Sequence, residues 1–364
     1  MIADPFEHPA ALAGPPVRWE ALRRVLVVRP DNLGDVLLAG PALAALRAAA
    51  PQARIDLLAS PAGAAAAPLL PEVDQVLVAS VSWQRIEPAP GPPDPGLVDR
   101  LAGGGYDAAV LLTSFSQSPW PAAYVCQQAG IGVRAGLSKE FGGAGLTDWV
   151  PAPDDGLHQV DRALHLLARL GVPGRGTALH ACVDDSARAA ARQAVTAAGL
   201  AADRPYAVLL PGASCPSRRY PADRFREVVG GLVAAGLPVV VSGPPAERDL
   251  VERVAAGVPG AVGLAGGLDV PGLAGLLAGA DVVVANNSGG THLADAVGTP
   301  VVVLFAGTEL VGQYEPRSVP AAVLGRPTPC TPCRRFSCPY QLECLDVGPA
   351  EVVAAALRLT PART

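Results

Sequence analysis

The stretch Asp281–Phe305, DVVVANNSGGTHLADAVGTPVVVLF, decides the fold. Two apolar, β-branched runs flank a segment that packs two asparagines, two glycines, a threonine and a histidine together. Continuous apolar runs of this kind are strands buried on both faces, as in a parallel sheet. The residues from Thr291 onward are apolar at helical spacing. Strand, turn, helix, strand is one βαβ unit, and in open parallel sheets ligands gather at the carboxyl ends of the strands. Bare glycine N–H groups at a helix N-terminus suit an anion. Ser288, Gly289, Gly290 and Thr291 are therefore candidates for a phosphate cradle, with His292 beside them in the first helical turn.

Working outward, the same alternation fills the chain. Apolar strands are expected at RVLVVRP (24–30), ARIDLLAS (53–60), QVLVAS (75–80), YDAAVLLTS (106–114) and IGVRAGLS (131–138), with helices between them. DNLGDVLLAGPALAALRAAAP (31–51) opens with a turn and continues as one helix to Pro51. The Pro-rich SWQRIEPAPGPPDPG (82–96) is a loop. The polar SKEFGGAGLTDWVPAPDDGLHQVDR (138–162) also reads as a loop and runs into a helix. A second α/β series begins near YAVLLPGAS (206–214), and a last helix closes the chain. The boundary falls between residues 172 and 182. The expected organisation is a flexible N-terminus (1–20), a first Rossmann-like domain (21–176), a second (177–348) containing a Cys-rich loop (330–344), and a C-terminal helix (349–364).

Composition excludes several classes. With 364 residues the chain suits two domains of ordinary size. Its net charge is −5 and it has no basic block, which excludes nucleic acid as a natural partner. Lys139 is its one lysine. No apolar run approaches the roughly 18 residues needed to span a bilayer. The N-terminus lacks the basic n-region of a secretory signal, so a cytoplasmic location is expected.

Three further strand-end turns carry chemistry. In RPDNLGDVLLAGPAL, Gly34 allows a tight turn and Asp35 stands at a helix start, where it caps the helix or faces a ligand. In LLPGASCPSRRYPADRF, Ser214, Ser217, Arg218 and Arg219 cluster before a helix, an arrangement that suits a phosphate. In VVVSGPPAERDL, Glu247 enters a helix, where it either complements the helix dipole or holds the hydroxyls of a ribose. No G-x-x-x-x-G-K-[ST] loop occurs, no G-x-G-x-x-G follows the first strand, and there is no D-x-D dyad for a metal-bound sugar nucleotide.

In this order the turns resemble glycosyltransferase family 9, the ADP-heptose heptosyltransferases of lipopolysaccharide core assembly, from Arg24 to about Leu359. The resemblance implies a GT-B fold: two doubly wound Rossmann-like α/β domains facing a central cleft, the first for the acceptor and the second for the nucleotide sugar. It also implies a last helix that crosses back to the first domain. It makes Asp35 the general base for an inverting displacement, with no metal in the chemistry. It puts the diphosphate on Arg218, in place of the family's lysine in K-R-W-P, and on Ser214, and the ribose on Glu247. The family's D-[ST]-G-x-x-H-L-A stands here as NSGGTHLA, so Asn287 replaces an acid thought to face the donor sugar. The implied function is transfer of a sugar, heptose from ADP-heptose, to a hydroxyl of a glycan or metabolite. The alternatives are a nucleotide-sugar epimerase and a non-catalytic nucleotide-sugar-binding protein. A monomer is expected, with peripheral membrane contact if the acceptor is lipid-linked. Ser114, Ser116, Gln117 and Lys139 are candidate acceptor contacts.

Cys330, Cys333, Cys338 and Cys344 are spaced C-x2-C-x4-C-x5-C. A C-x-x-C with two further thiols can complete a tetrahedral structural zinc site, or hold an iron–sulfur cluster; the alternative is four reduced thiols in a Pro-rich loop.

Overall fold

The structure, a computed structural model, describes residues 16–84, 92–140 and 143–360. Most of the N-terminal segment expected to be flexible, the centre of the Pro-rich loop and the last four residues lie outside the described residues.

The chain forms two compact units. In the first, six parallel strands, β1 (Arg24–Arg29), β2 (Arg54–Ala59), β3 (Gln75–Val78), β4 (Ala108–Leu111), β5 (Val133–Ser138) and β6 (Asp148–Pro151), lie in the order 3-2-1-4-5-6. This is the Rossmann order, with its switch point between β1 and β4. The chain's first helices are α1 (Leu33–Leu38), α2 (Gly40–Ala49), α3 (Pro61–Ala64), α4 (Leu97–Gly104), α5 (Trp120–Gln128) and α6 (Gln159–Arg169). Leu26, Val28, Leu58, Ala109 and Leu111 join residues of α4 and α5 in one buried cluster. At the start of α6, His158 Nδ1 accepts the backbone N–H of Val160.

The second unit repeats the plan. Its strands are β7 (Ala207–Leu210), β8 (Val239–Gly243), β9 (Ala261–Ala265), β10 (Val282–Asn286), β11 (Val301–Leu304) and β12 (Ala321–Leu324), in the order 12-11-10-7-8-9 and all parallel. Its helices are α7 (Asp185–Ala197), α8 (Ala222–Ala234), α9 (Arg248–Ala255), α10 (Val270–Ala278), α11 (Gly289–Val297), α12 (Val311–Tyr314) and α13 (Pro349–Leu359). The switch point lies between β7 and β10.

Three local features differ from expectation. The helix expected over residues 36–50 is broken at Ala39, because Pro41 brings no N–H to a continuing helix. The break matters for packing: residues 33–38 cluster with the second unit, while Ala39 onward belongs to the first. Two short edge strands, β6 and β12, arise where no strand was expected. Each pairs on one side only, so neither needs the continuous apolar run of a central strand. Within the second unit, α13 buries Val352, Ala355 and Ala356 against α8. The contact is close because Gly231 of α8 leaves room for Val353.

Among the described residues, no helix is long and apolar enough to cross a membrane.

Candidate active site

In the second unit, chemistry gathers at the carboxyl ends of β7, β8, β10 and β11. The turn after β7 leads through a short 3-10 turn, Pro216–Arg218, into α8. Ser214 is exposed on it. Arg218 Nε donates to Thr308 Oγ1 at 3.1 Å, and its terminal nitrogen pairs with the Glu309 carboxylate. Arg219 Nε donates to the Ala213 carbonyl at 2.9 Å. Glu247 follows β8 and reaches back over two glycines: a side chain at Gly212 would collide with its carboxylate, and one at Gly243 would stand 2.9 Å from Oε2. Burial pushes the Glu247 pKa up, with the charge of Arg219 opposing.

The opening stretch supplies β10 and α11. Asn286 is fully buried and ties two turns together. Its side-chain oxygen accepts from Tyr220 N–H at 3.0 Å, and its amide nitrogen donates to the Pro211 and Gly212 carbonyls at 2.9 and 3.2 Å. Asn287 shapes the next turn: its oxygen accepts from Ala306 N–H at 3.1 Å, and its amide lies 3.5 Å from Glu309 Oε2. Ser288 occupies the N-cap position but its side chain caps nothing.

The glycines have a packing cause that the anion argument missed. A Cβ on Gly290 would strike Leu210, and one on Gly289 would lie 3.0 Å from Leu33 and 3.3 Å from the Gly34 nitrogen. A Cβ on Gly34 would in turn lie 2.8 Å from the His292 ring. The first turn of α11 thus packs directly on α1, which places Asp35, in the first turn of α1, in the same unit as the residues above. Thr291 differs from expectation. It is buried and its hydroxyl donates to the Asn286 carbonyl at 2.7 Å, so it braces the turn from inside. His292 is buried, with its ring tilted toward Tyr314.

Glu309 was not anticipated, although the strand-end turn FAGTEL after β11 carried the signal. Burial pushes its carboxyl pKa up; the Arg218 charge opposes this and the Asp35 charge adds to it. The charges of Arg218 and Asp35 therefore both act on the Glu309 carboxyl.

The Cys-rich loop braces these turns through its backbone. Ser217 N–H donates to the Phe336 carbonyl at 3.1 Å, Cys333 N–H to Gly307 at 3.0 Å, and Arg334 N–H to Thr308 at 3.0 Å. Burial and the neighbouring thiols of Cys338, Cys330 and Cys333 raise the Cys344 pKa, against a backbone hydrogen bond from Gly307. Among the described residues, however, no group of three or more His, Cys, Asp or Glu side chains is set to hold a metal ion. The four thiols, three of them partly buried and Cys330 exposed, do not form the tetrahedral set expected of structural zinc.

The first unit has a crevice of its own at the switch point between β1 and β4. A cavity of about 280 Å³ is lined by Pro30 and Asp31 after β1, Leu112 and Thr113 after β4, and Trp83, Gln84, Ser116, Gln117 and Ser118 from the loops. Of the acceptor contacts expected here, Ser116 and Gln117 line it. Ser114 is buried and accepts from Arg29 at 2.9 Å. Lys139 is ion-paired with Asp155 at 2.6 Å and is absent from the lining.

Comparison with known proteins agrees with this architecture. Residues 96–343 match the model of glycosyltransferase family 9 (heptosyltransferase). The chain is 28% identical over 341 residues to lipopolysaccharide heptosyltransferase 1 of Pseudomonas aeruginosa, covering 87% of this chain and 88% of that protein. Among solved structures, it shares its fold with a family 9 glycosyltransferase from Veillonella parvula, at a TM-score of 0.74 and 22% identity over 93% of this chain and 97% of that one. The ADP-heptose lipopolysaccharide heptosyltransferase II of Escherichia coli gives a TM-score of 0.73 at 22% identity, covering 92% and 98%. Two Rossmann-order sheets, catalytic-type side chains at their strand ends and a family match over most of the chain lead to one conclusion: this protein belongs to glycosyltransferase family 9, the heptosyltransferases, and is a glycosyltransferase.

Proposed function

We propose that this enzyme transfers heptose from ADP-heptose to a hydroxyl of a glycan acceptor in a single inverting displacement. Asp35 takes the proton of the acceptor hydroxyl as its oxygen attacks the anomeric carbon. The bond from that carbon to the diphosphate oxygen breaks, and ADP departs with the bonding electrons. The Arg218 guanidinium and the N-terminus of α11, whose Ser288 side chain caps no N–H, neutralise the diphosphate. Glu247, held over Gly212 and Gly243, receives the ribose hydroxyls. No step is assigned to a metal.

The observation that carries this reading is the packing of α1 on α11, which gathers a carboxylate, a helix N-terminus and a guanidinium in one unit. Two measurements test it: the rise in melting temperature on adding ADP, and turnover of ADP-heptose with glycan acceptors. Asp35→Asn should lose about 10²–10⁴-fold in turnover, the usual worth of a general base, and keep the ADP-induced shift. Undiminished turnover in Asp35→Asn would remove the base assignment; no ADP-induced shift in the parent would remove the donor assignment.

A further inference from the structure

Glu309 has no part in the displacement above, yet its carboxyl joins the strand-end turns of the second unit. It follows the buried Thr308, and its own side chain is 13% exposed. Its Oε1 accepts from a terminal nitrogen of Arg218, on the turn after β7. Its Oε2 accepts from Thr308 Oγ1 at 3.4 Å and lies 3.5 Å from the Asn287 amide, on the turn after β10. Thr308 Oγ1 in turn accepts from Arg218 Nε at 3.1 Å. Two successive residues of the β11 turn therefore fix the guanidinium, and both carboxylate oxygens are engaged.

This pairing spends the charge that a diphosphate needs. With Glu309 ionised, its charge and that of Arg218 cancel, and the Glu309 carboxyl also feels the negative charge of Asp35. A diphosphate on Arg218 would add further negative charge beside a carboxylate already largely removed from water. Like charges crowded into a poorly solvated site are relieved when one acid takes a proton. Glu309 is that acid, because burial already pushes it toward its neutral form and Asp35 adds to the push. The other charged and titratable groups around it are engaged elsewhere. Arg219 turns to the Ala213 carbonyl, and Arg334 meets Thr308 through its backbone N–H. Glu247 feels the charge of Arg219, and the His292 ring of α11 tilts toward Tyr314 of α12.

A neutral Glu309 can keep its place. Its carbonyl oxygen still accepts from Thr308 and Asn287, its O–H becomes a donor, and the guanidinium charge passes to the diphosphate.

We propose that Glu309 is a positioning residue that takes up a proton from solvent as the diphosphate binds Arg218 and returns it as ADP leaves, so that nucleotide binding by this enzyme is proton-linked. The proposal rests on the donor reading above, since it needs a diphosphate on Arg218.

Isothermal titration calorimetry of the full chain with ADP, in buffers of different ionisation enthalpy, counts the protons. Somewhere between about pH 5.5 and 8.5 the parent should take up at least about half a proton per ADP more than Glu309→Gln does. Across that window the parent's affinity should fall with rising pH relative to the variant's, by up to about tenfold per pH unit. Ionisation of ADP itself is common to both proteins and cancels in the difference. Adenosine, which brings no phosphate, should bind both with the same proton count. A purely structural role for Glu309 would change affinity or melting temperature alike at every pH and leave the proton count unmoved. If Glu309→Gln does not fold, Asp35→Asn carries the test: removing that charge should move the uptake to lower pH, and an unmoved profile overturns the proposal. It is also overturned if parent and Glu309→Gln differ by less than about 0.2 proton at every pH, or if adenosine shows the same difference as ADP. ADP binding with no Glu309-dependent proton leaves the donor reading intact and sinks only this proposal; absence of ADP binding to the parent removes both.

Discussion

Glu309 and Arg218 show how one residue changes the work of its neighbours. The Glu309 side chain is 13% exposed, and its carboxyl pKa is raised above the ordinary value of 4.5. The folded chain thus holds a proton there that the unfolded chain has already released. Stability from this group is full below the unfolded value and falls as pH rises toward the raised one. Glu309→Gln should flatten that fall, so the stability of parent relative to variant should drop across this window; melting temperatures measured through mildly acidic pH check it. Arg218 meets Thr308 and Glu309 through different nitrogens, a geometry that a lysine cannot reproduce. Arg218→Lys should keep most of the ADP-induced stabilisation, since the charge remains for the diphosphate, whereas Arg218→Ala should lose most of it. Thermal shift at fixed ADP concentration separates the two. Asp35 and the Arg218 turn could be read from sequence, because Gly-Asp and Arg-Arg at strand ends are local signals. Glu309 required the structure, since nothing local links it to Arg218, 91 residues away.

At the scale of elements, the strands most legible in sequence were the central ones. β1, β4, β7 and β10 are buried on both faces and therefore read as continuous apolar runs. The edge strands β6 and β12 were not legible: DWVP and AAVL carry partly exposed residues and no such run. The break at Ala39 was hidden for a different reason. The apolar spacing continues across it, and only the missing N–H of Pro41 marks it. Helix contacts were also beyond sequence, because glycines chosen for close approach look like glycines chosen for turns. The α8–α13 contact gives a direct test. A side chain at Gly231 would come within 2.7 Å of Val353. Gly231→Val should destabilise the chain by about 1–3 kcal/mol, the usual cost of overpacking. Val353→Ala in the same chain should recover part of this, as read by urea denaturation.

At the scale of the whole molecule, the two sheets share one strand order, each with a switch point at its centre. The strand ends there differ in kind: the first unit gathers amides and an indole, the second arginines and a helix N-terminus. Two α/β series were legible because each is a run of βαβ units. The assignment of α1 to the second unit was not legible, because chain order does not determine which core a helix joins. A nucleotide held by the second unit should slow amide exchange in the turns at 211–219, 243–247 and 286–291. The strands β1 to β6 should exchange as before, and hydrogen exchange with and without ADP measures this.

The contact between Gly34 and Gly289 also constrains how this sequence can drift. Each position leans on the side chain its partner lacks: a Cβ on Gly34 would lie 3.1 Å from Gly289 Cα, and a Cβ on Gly289 would lie 3.3 Å from the Gly34 nitrogen. Elsewhere in an alanine- and valine-rich core, a gain in volume at one position can be offset by a loss at its neighbour. Here neither partner has an atom left to give up. A side chain at either position must be met by a shift of the backbone and not by a smaller neighbour, so these two glycines set the spacing between the helix that carries Asp35 and the helix that opens NSGGTHLA.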